Sequence, residues 1–431
     1  MVRALYSLLL WLASPLLRRK LRLRAVAEPG YAEHIPERFG HYTQAPSAGW
    51  VWVHAVSLGE TRAAAILLAA LRKEMPDLRL LLTHGTATGR AEGRALLRPG
   101  DVQVWQPWDS LGAVRRFVRH FQPRIGILME TEIWPNLLDA CRSAAIPVVL
   151  ANARLSDKSL RQAQRLAWLS RLAYGALSAV WAQTEADAQR LIAAGAPKPL
   201  VLGNLKFDAN PDAAQCARGR SWRQAAGRTV VLLASAREGE ERMLLEALKA
   251  FKALAQEKSA QAAMKIVASD VQWLIVPRHP QRFDEVAALV QTYGLSVSRR
   301  SQWQDAPVEA DIWLGDSMGE MALYYGLAHM ALLGGSFAPL GGQNLIEAAA
   351  CGCPIVLGPS TFNFAEAAGL ATQAGAACRV ADMPAALEQV RAWCLAPEQL
   401  AAVAAAGPAF AAAHRGAAQK TAAAIKALLQ A

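Results

Sequence analysis

The sequence lacks the residue patterns of common metal, redox, nucleotide-hydrolysing and hydrolase sites. Its eight histidines show no H-E-x-x-H or H-x-x-x-H spacing, so no metal site is expected. No Walker pattern is present, no G-x-G-x-x-G lies early enough for a nicotinamide-binding fold, and Ser57 lies outside any G-x-S-x-G motif. The six cysteines include no C-x-x-C pair, which argues against a thioredoxin-like or zinc-binding motif and indicates buried free thiols.

Acidic side chains are missing from the first 24 residues, which hold six basic ones. These are Arg3, Arg18, Arg19, Lys20, Arg22 and Arg24. About half of the net charge of +11 therefore lies in one short segment, and most of it directly follows an apolar run at Ala4–Leu17. A nucleic-acid-binding protein more often spreads a basic stripe over a folded domain, so no nucleic-acid partner is expected and an anionic membrane surface is favoured.

The apolar run at Ala4–Leu17 allows three interpretations. With about 14 residues, it is shorter than the ~20 that span a bilayer comfortably. It could be a cleaved signal peptide, a membrane anchor that spans the bilayer or lies in its interface, or an amphipathic helix docked on the protein. The main basic cluster follows the apolar part and no small-residue cleavage site is evident, which favours the anchor. The positive-inside rule then places Arg18–Arg24, and all that follows, in the cytoplasm.

Length and composition predict more than one α/β domain. The 431 residues are 53% hydrophobic and 19% charged, which is enough apolar side chain for large cores. Short apolar runs alternate with helical patterns, as is typical of parallel sheets covered on both faces. We therefore expect two doubly wound Rossmann-like domains that face a cleft, with an N-terminal membrane-anchor helix. The predicted boundaries are 1–24 for the anchor and its basic flank, 25–208 for the first domain, 209–228 for a polar linker and 229–431 for the second domain. Helices at Pro397–Gln430 either cap the second domain or cross back to the first.

Apolar runs mark the predicted strands. In the first half they are Val51–His54, Leu78–Leu82, Val102–Trp105, Ile125–Met129, Val148–Leu150, Ala179–Trp181 and Leu200–Leu202. In the second half they are Val230–Ala234, Trp273–Val276, Leu295–Ser298, Ile312–Leu314, Met330–Leu333 and Ile355–Leu357. Ligands of open α/β sheets bind outside the carboxyl ends of the strands, so the residues that follow these runs are the candidates for a site.

Two acidic candidates follow strands of the first half. Glu60 closes a glycine turn after the first strand. It either stabilises the dipole of the next helix as a first-turn acid or takes a proton from an attacking sugar hydroxyl as a general base. Glu130 follows Ile125–Met129 and lies beside Glu132. It either bonds backbone amides of its loop or acts as a second carboxylate that raises the basicity of the first.

Two cationic candidates and a glycine-rich loop follow other strands. Lys206 and Arg278 could be surface charges, the default for these residue types, but their positions in glycine- and proline-marked turns favour phosphate binding. The segment Gly334–Glu347 leads into a predicted helix near Asn344. It is either an anion site at a helix N-terminus or a tight strand-to-helix connection.

Seven strings of the sequence resemble the 3-deoxy-D-manno-octulosonic acid (Kdo) transferases of lipopolysaccharide assembly. They are Val53–Glu60, Met129–Asn136, Ala151–Ser156, Gly203–Asp208, Val276–Pro280, Gly315–Glu320 and Gly358–Phe364. The resemblance runs from the N-terminal segment to about Glu366. It implies a GT-B fold, a CMP-Kdo donor, a lipid A precursor (lipid IVA) as acceptor, inversion at the anomeric carbon, no metal, and a place on the cytoplasmic side of the cell inner membrane.

The same resemblance implies roles for individual residues. Glu60 matches the general base, and Glu130 and Lys206 match residues that assist the transition state. The positions that match CMP contacts are Pro277, Arg278, Met318, Gly319, Glu320, Asn344, Leu345, Ile346 and Glu347. The chain departs from the family at Gln343–Glu347, where His-Asn-Pro-Leu-Glu is frequent, and Ser259–Asp270 looks like an inserted surface loop.

The resemblance favours a direct displacement in which Glu60 deprotonates a primary hydroxyl of the acceptor while CMP leaves. Three rival functions stay open. One is another GT-B enzyme, such as a nucleotide-sugar epimerase or a UDP-sugar transferase. The second is a non-enzymatic protein that binds the membrane surface. The third is a nucleic-acid-binding protein, which predicts steeply salt-dependent affinity for DNA and which the localised charge disfavours.

Overall fold

The computed structural model describes residues 2–256 and 270–430, and the chain divides into two compact units. Unit 1 comprises Met1–Asp208 together with His414–Ala431, and unit 2 comprises Ala209–Ala413. Each unit is built on a seven-stranded parallel sheet, so the predicted class of two doubly wound Rossmann-like α/β domains is confirmed. Of the predicted insertion at Ser259–Asp270, residues 259–269 lie outside the described residues.

Unit 1 alternates strands and helices from its first strand onward. Its strands are β1 (Val51–His54), β2 (Leu80–His84), β3 (Val102–Trp105), β4 (Ile125–Met129), β5 (Val148–Ala153), β6 (Ala179–Ala182) and β7 (Leu200–Val201). Its helices before residue 208 are α1 (Val2–Ala27), α2 (Leu58–Glu74), α3 (Ala87–Arg94), α4 (Leu111–Phe121), α5 (Pro135–Ser143), α6 (Asp157–Arg165), α7 (Ala167–Tyr174) and α8 (Glu185–Ala194). Short 3₁₀ turns lie at Pro29–Ala32, Ile35–Phe39 and Leu205–Asp208.

Unit 2 repeats the same alternation. Its strands are β8 (Thr229–Ala236), β9 (Val271–Pro277), β10 (Val297–Arg299), β11 (Ile312–Leu314), β12 (Met330–Leu333), β13 (Ile355–Leu357) and β14 (Ala377–Arg379). Its helices are α9 (Ala213–Ala225), α10 (Glu240–Gln256), α11 (Phe283–Thr292), α12 (Met321–Leu327), α13 (Ile346–Ala350), α14 (Ala365–Gln373), α15 (Met383–Leu395) and α16 (Pro397–Ala413). Turns of 3₁₀ type lie at Pro280–Arg282 and Arg300–Gln302, and the chain closes with α17 (Ala417–Gln430).

Both sheets reverse their strand order in the middle. The order is β3-β2-β1-β4-β5-β6-β7 in unit 1 and β10-β11-β9-β8-β12-β13-β14 in unit 2. In unit 1, β1 pairs with β2 on one side and with β4 on the other, so His54 lies opposite both Thr83 and Leu128. Such a switch point opens a crevice at the carboxyl ends of the two flanking strands. In unit 1 those strands are β1 and β4, and in unit 2 they are β8 and β12.

The sheet of unit 1 is buried on both faces, which explains why the first three residues of β1 are all apolar. Trp52 packs on one face against Phe117 of α4, with ring centroids 5.0 Å apart. Val51 and Val53 point to the other face and share a core with Leu67 of α2. Strands of parallel sheets covered in this way carry near-continuous apolar runs rather than an alternating pattern.

The segment expected to be a polar linker, 209–228, is mostly helical. The Asp212 carboxylate accepts hydrogen bonds from the amides of Ala214 and Gln215 and so begins α9. Gly219 lets α9 approach α12 closely, because a Cβ at this position would lie 2.2 Å from the carbonyl oxygen of Leu323. The polar composition that indicated a linker therefore belongs to the exposed face of a packed helix of unit 2.

The last helix, α17, lies with unit 1, whereas the sequence-based boundary placed it in the second domain. Ala418, Ala422 and Ile425 are buried in the same core as α2. The Asp208 carboxylate accepts hydrogen bonds from the amides of Gly416 and Ala418, which holds the start of α17 beside the end of the first domain. Of the two alternatives for the C-terminal helices, α16 stays in unit 2 and α17 returns to unit 1.

Helix α1 is attached to unit 1 by polar contacts near its start. The Tyr6 hydroxyl donates to Asp109 Oδ2 at 3.0 Å, and the Ser7 hydroxyl donates to Asn136 Oδ1 at 3.2 Å. Within residues 2–256 and 270–430, no helix has both the length and the apolar character needed to cross a bilayer. The anchor therefore stays a prediction.

All six cysteines are free thiols, four of them buried and Cys378 and Cys394 half-buried. The sulfur atoms of Cys216 and Cys351 lie 3.4 Å apart in unit 2, so these two thiols are hydrogen-bonded and not joined by a disulfide. Burial raises the pKa of the Cys353 thiol to about 12, which keeps it protonated and unreactive at neutral pH.

Candidate active site

Glu60 lies in the first turn of α2, directly after the carboxyl end of β1. Ser57 is the N-cap of the helix, and its hydroxyl accepts from the Glu60 amide and donates to Glu60 Oε1 at 3.0 Å. The Val56 amide donates to Glu60 Oε2 at 2.9 Å. The spacing from Ser57 to Glu60 is that of a capping box. The structure thus gives this carboxylate the helix-start contacts that the simpler interpretation of the sequence predicted.

The pKa of the Glu60 carboxyl is nevertheless raised, which its role as a helix cap does not require. Burial raises its pKa to about 7, and the negative charges of Glu130 and Glu132 add to the rise, while its hydrogen bonds from Val56 and Ser57 oppose it. A group with a pKa near the working pH is the most effective proton acceptor. Its geometry and pKa are compatible with both roles, because a cap can hold in place the carboxylate that acts as a base.

Glu130 follows the end of β4, on the other side of the switch point. Its backbone is left-handed, with φ of 58°, and its side chain is buried. The Glu130 carboxylate receives two cations: Arg154 Nε donates to Oε2 at 2.7 Å, and Lys206 Nζ lies 3.3 Å from Oε1. A buried carboxylate needs such partners, because an isolated buried charge is very unfavourable.

Lys206 is held by a chain of hydrogen bonds across three strand ends. The Asn152 side chain accepts from the Leu205 amide at 3.0 Å, and the Asn204 side chain accepts from the Lys206 amide at 3.0 Å. Gln183, after β6, donates to the Asn152 carbonyl and accepts from Asn204. The ends of β5, β6 and β7 therefore fix the turn that aims Lys206 at Glu130.

The structure thus brings the three predicted catalytic residues of unit 1 to one edge of its sheet. Glu60 and Glu130 follow the two strands that flank the switch point, and Lys206 completes the group. Arg154 and Asn152 also belong to this group, although sequence reasoning assigned them no role. Both lie in the string Ala151–Ser156, which was the available signal. The arrangement offers a proton acceptor beside a carboxylate that is held by two cations.

In unit 2, the predicted donor residues Pro277 and Arg278 lie at the end of β9. The Arg278 amide donates to the Ala236 carbonyl at 2.9 Å, and its side-chain Nε donates to Gln343 Oε1 at 3.2 Å. Arg278 is therefore joined to the glycine-rich loop at the residue before Asn344. Gln343, at which the sequence departs from the resemblance, supplies a hydrogen-bond acceptor for the guanidinium group.

Glu240 organises the glycine-rich loop from inside, which sequence reasoning did not predict. Its carboxylate is fully buried and accepts from the amides of Arg237 at 2.9 Å, Gly335 at 2.6 Å, Phe337 at 3.0 Å and Ala338 at 3.1 Å. It ties the loops after β8 and β12, the two strands at the switch point of unit 2. The signal was present, because Gly239 and Glu240 repeat the glycine–glutamate pair that begins α2 in unit 1.

The predicted donor contacts at Asn344–Glu347 are of two kinds. The Asn344 side chain accepts from the Ile346 amide at 3.1 Å, and Glu347 is half-buried in α13. Leu345 and Ile346 are fully or almost fully buried, so neither residue presents a surface for a ligand in this structure. The loop reaches this point through Gly341 and Gly342, which both have positive φ.

The remaining predicted donor residues form the turn after β11. Met318 is exposed, and Gly319 has a φ of 77° with open space beside it. Glu320 Oε1 accepts from Arg300 Nη2 at 2.8 Å, and Glu320 also accepts from the Ser317 hydroxyl. The turn is thus fixed by its acidic residue and presents an exposed thioether. Among the residues that the structure describes, no three His, Cys, Asp or Glu side chains cluster so that they could hold a metal ion.

Comparison with known proteins identifies the family. A 3-deoxy-D-manno-octulosonic acid transferase of Bordetella pertussis is 46% identical over 98% of this chain and 98% of its own length. The chain belongs to the Kdo transferase family. The family model described as 3-Deoxy-D-manno-octulosonic-acid transferase (kdotransferase) matches residues 33–209. A 3-deoxy-D-manno-octulosonic acid transferase of Haemophilus influenzae is 32% identical over 85% of this chain and 84% of its own. The family resemblance seen in the sequence is confirmed, and the chain is a glycosyltransferase.

A solved structure extends the likeness to the fold. The UDP-GlcNAc 2-epimerase of Neisseria meningitidis, bound to UDP-GlcNAc, aligns with a TM-score of 0.56 over 89% of this chain and all of the epimerase chain, at 16% identity. At this identity the likeness shows the fold alone. Together with the two doubly wound sheets, it confirms the GT-B class.

Proposed function

We propose that this enzyme transfers Kdo from CMP-Kdo to a lipid A precursor, with inversion at the anomeric carbon, and that Glu60 is the general base. The observation that carries the proposal is the position of Glu60 at the switch point of unit 1. Burial brings its pKa to about 7, and the Glu130–Lys206 ion pair lies in the same group. Membership of the Kdo transferase family indicates which sugar is transferred. The residues at the strand ends provide the groups for proton transfer and charge stabilisation.

The proposed reaction is one displacement. A primary hydroxyl of the acceptor gives its proton to the Glu60 carboxylate, and the oxygen bonds to the anomeric carbon of Kdo. The bond from that carbon to the phosphate oxygen breaks, and CMP leaves with the electron pair. General-base assistance of this kind contributes typically about 10²–10⁴-fold in rate. Glu130 supports the base, because its negative charge helps to raise the pKa of Glu60.

The cations stabilise the negative charge that develops as the sugar–phosphate bond breaks. Arg278 is the proposed phosphate ligand in unit 2, and its Nε donates to Gln343 Oε1 of the glycine-rich loop. Lys206 is fixed by the ends of β5, β6 and β7, so it needs little rearrangement during the reaction. Fixed charges act most strongly when they are aimed before the reaction begins.

The proposal also assigns α1 to the cytoplasmic surface of the inner membrane. Its exposed leucines are Leu8, Leu9, Leu12, Leu16 and Leu23. Helix α1 contacts α7, which adds the exposed apolar side chains Trp168 and Leu172 to the same unit. An amphipathic helix with apolar residues on one side and basic residues nearby lies in the interface rather than across the bilayer. The exposed cluster Arg18–Arg24 fits the anionic headgroups.

The experiment that tests the function uses the purified full chain with CMP-Kdo and lipid A precursor. Mass spectrometry of the lipid should show the added mass of Kdo. Glu60→Gln should lower product formation by at least 100-fold. Glu74→Gln, at the far end of α2, is the matched control and should leave it unchanged, because Glu74 is exposed and pairs with Lys426.

The donor is tested separately. CMP should raise the melting temperature of the full chain more than UDP does, and Arg278→Gln should remove most of the CMP effect. Stabilisation by UDP and not by CMP would instead support a UDP-sugar enzyme.

A Kdo-free lipid after incubation with CMP-Kdo, lipid A precursor and fully folded enzyme would contradict the proposed reaction itself.

A further inference from the structure

A cleft of about 560 Å³ lies between α4 and α5 of unit 1. None of the candidate catalytic or donor-binding residues lines it. It runs along the two helices towards the segments that precede β4 and β5. These segments approach the amino ends of the strands, whereas Glu60, Glu130 and Lys206 lie at the carboxyl ends. The cleft is therefore a separate feature of unit 1.

The cleft carries an excess of positive charge. Arg115 and Arg119 of α4 line it together with Arg124, and Asp139 is the acidic residue of its lining. Asp139 accepts a hydrogen bond from Arg142 at 3.2 Å, which offsets its charge. Within residues 2–256 and 270–430, the guanidinium groups of Arg115, Arg119 and Arg124 form no ion pair or hydrogen bond.

Arg116 shows by contrast what a structural arginine does on the same helix. Its Nε and Nη2 donate to the Phe39 carbonyl at 3.2 and 2.6 Å, which ties α4 to the 3₁₀ turn at Ile35–Phe39. Arg115, Arg119 and Arg124 make no such contact and are exposed around a concave surface. Three arginines without partners around one cleft form an electrostatic trap for an anion of matching size.

The cleft adjoins the helix that we assign to the membrane surface. Asn136 lines the cleft, and its Oδ1 accepts a hydrogen bond from Ser7 of α1. Leu8 and Leu9, the next two residues of α1, are exposed. An occupant that lies partly in a membrane interface could therefore reach the cleft without leaving the lipid layer.

We propose that this cleft binds the headgroup of an anionic phospholipid, with its phosphate diester on Arg115, Arg119 and Arg124. Arginine suits this ligand because its planar fork donates two hydrogen bonds to a phosphate. The apolar part of the lining, which includes Val118 and Ile146, offers contact to the glycerol and the first methylene groups. The inference rests on the membrane attachment in the proposed function and goes beyond it by naming a specific lipid site.

A short-chain lipid tests the site without any membrane. Dihexanoyl phosphatidylglycerol, below its micelle concentration, is titrated into the full chain by calorimetry. We expect saturable binding to the wild-type chain, at least tenfold weaker binding to Arg115→Gln/Arg119→Gln/Arg124→Gln, and at least tenfold weaker binding of dihexanoyl phosphatidylcholine and of inorganic phosphate to the wild-type chain. Protection of the same three arginines from phenylglyoxal by the lipid, mapped by mass spectrometry, gives a second measurement that needs no variant.

The control variant is Lys73→Gln/Arg94→Gln/Arg98→Gln, which removes the same charge from exposed sites of unit 1. It should bind the lipid like the wild-type chain. Equal binding by both triple variants would overturn the proposal, as would equal affinity for phosphatidylcholine or for inorganic phosphate. Transfer of Kdo to detergent-dispersed acceptor is measured in parallel. It should be normal in both variants, so loss of the lipid site is distinguishable from failure of the proposed reaction.

Discussion

The ammonium group of Lys206 lies 3.3 Å from the buried carboxylate of Glu130, although the two residues belong to different loops of unit 1. Arg154 contacts the other oxygen of the same carboxylate at 2.7 Å. Two cations therefore share one carboxylate beside the proposed base. This arrangement holds a positive charge in the site without burying it alone.

Replacing Glu130 and replacing Lys206 should shift the pH profile of kcat/KM in opposite directions. Glu130→Gln takes away a negative charge that raises the pKa of Glu60, so the ascending limb of kcat/KM should shift to lower pH. Lys206→Met leaves Glu130 less neutralised, so the limb should shift to higher pH. Both variants should also lose turnover. The measurement is kcat/KM from pH 5 to 9, and shifts of the same sign in both variants would refute this electrostatic account.

Replacing Asn152 should lower the free energy of unfolding, through a lost hydrogen bond and, in some variants, through backbone strain. Its φ is 53°, in the left-handed region, and its side chain accepts from the Leu205 amide. Asn152→Gly adopts the left-handed backbone without strain but leaves the Leu205 amide unpaired, and it should lower the free energy of unfolding by about 1–3 kcal/mol. Asn152→Ala adds left-handed strain of about 1 kcal/mol and should be the less stable of the two. Urea unfolding ranks the variants, and an alanine variant that equals or exceeds the glycine variant in stability would contradict this reasoning.

Glu240→Gln should loosen the glycine-rich loop of unit 2. A glutamine has only one acceptor oxygen, so its NH2 group would face either the N–H groups of Arg237 and Gly335 or those of Phe337 and Ala338. Hydrogen bonds to a charged group contribute about 1.5–3 kcal/mol each. Hydrogen exchange followed by mass spectrometry should show faster exchange at 335–338 and no change in β1. Glu246→Gln, exposed on the same helix, is the control, and equal exchange in the two variants would exclude a structural role for the carboxylate.

The exposed leucines of α1 should attach the enzyme to membranes. Replacing Leu8, Leu12 and Leu16 by serine removes apolar surface without changing charge, so binding to vesicles with 30% phosphatidylglycerol should fall by at least tenfold. Turnover of detergent-dispersed acceptor should stay near that of the wild-type chain. Co-sedimentation with vesicles measures the binding, and full retention of the triple serine variant on vesicles would argue against this face of α1 as the attachment.

Much of the fold could be predicted from apolar runs, because a parallel sheet covered on both faces leaves a continuous apolar signature. β1, β3 and β4 have the predicted bounds. β14 was missed because Ala377–Arg379 is short and ends in a charged residue, and its pairing with β13 identifies it as a strand only in three dimensions. The helix α9 was taken for a linker because its exposed polar face dominates its composition.

The candidate site could be predicted as positions but not as contacts. Glu60, Glu130 and Lys206 each follow a strand, and the sheet order then brings them together. The second partner of Glu130, Arg154, and the support from Asn152 depend on a left-handed residue at the end of β5, which no local pattern marks. Glu240 was missed although the pair Gly239–Glu240 repeats Gly59–Glu60, since its four amide partners come from two separate loops and only the structure shows those contacts.

The most direct measurement of the central claim is kcat/KM against pH for Kdo transfer by the wild-type chain and by Glu60→Gln. The carboxylate form is the active base, and burial brings the pKa of Glu60 to about 7. The wild-type rate should therefore rise through pH 7 and level off above it, while the variant should be at least 100-fold slower, with no such limb. A wild-type limb that lies below pH 5, or a variant with near-normal turnover, would show that Glu60 caps its helix and does not act as the base.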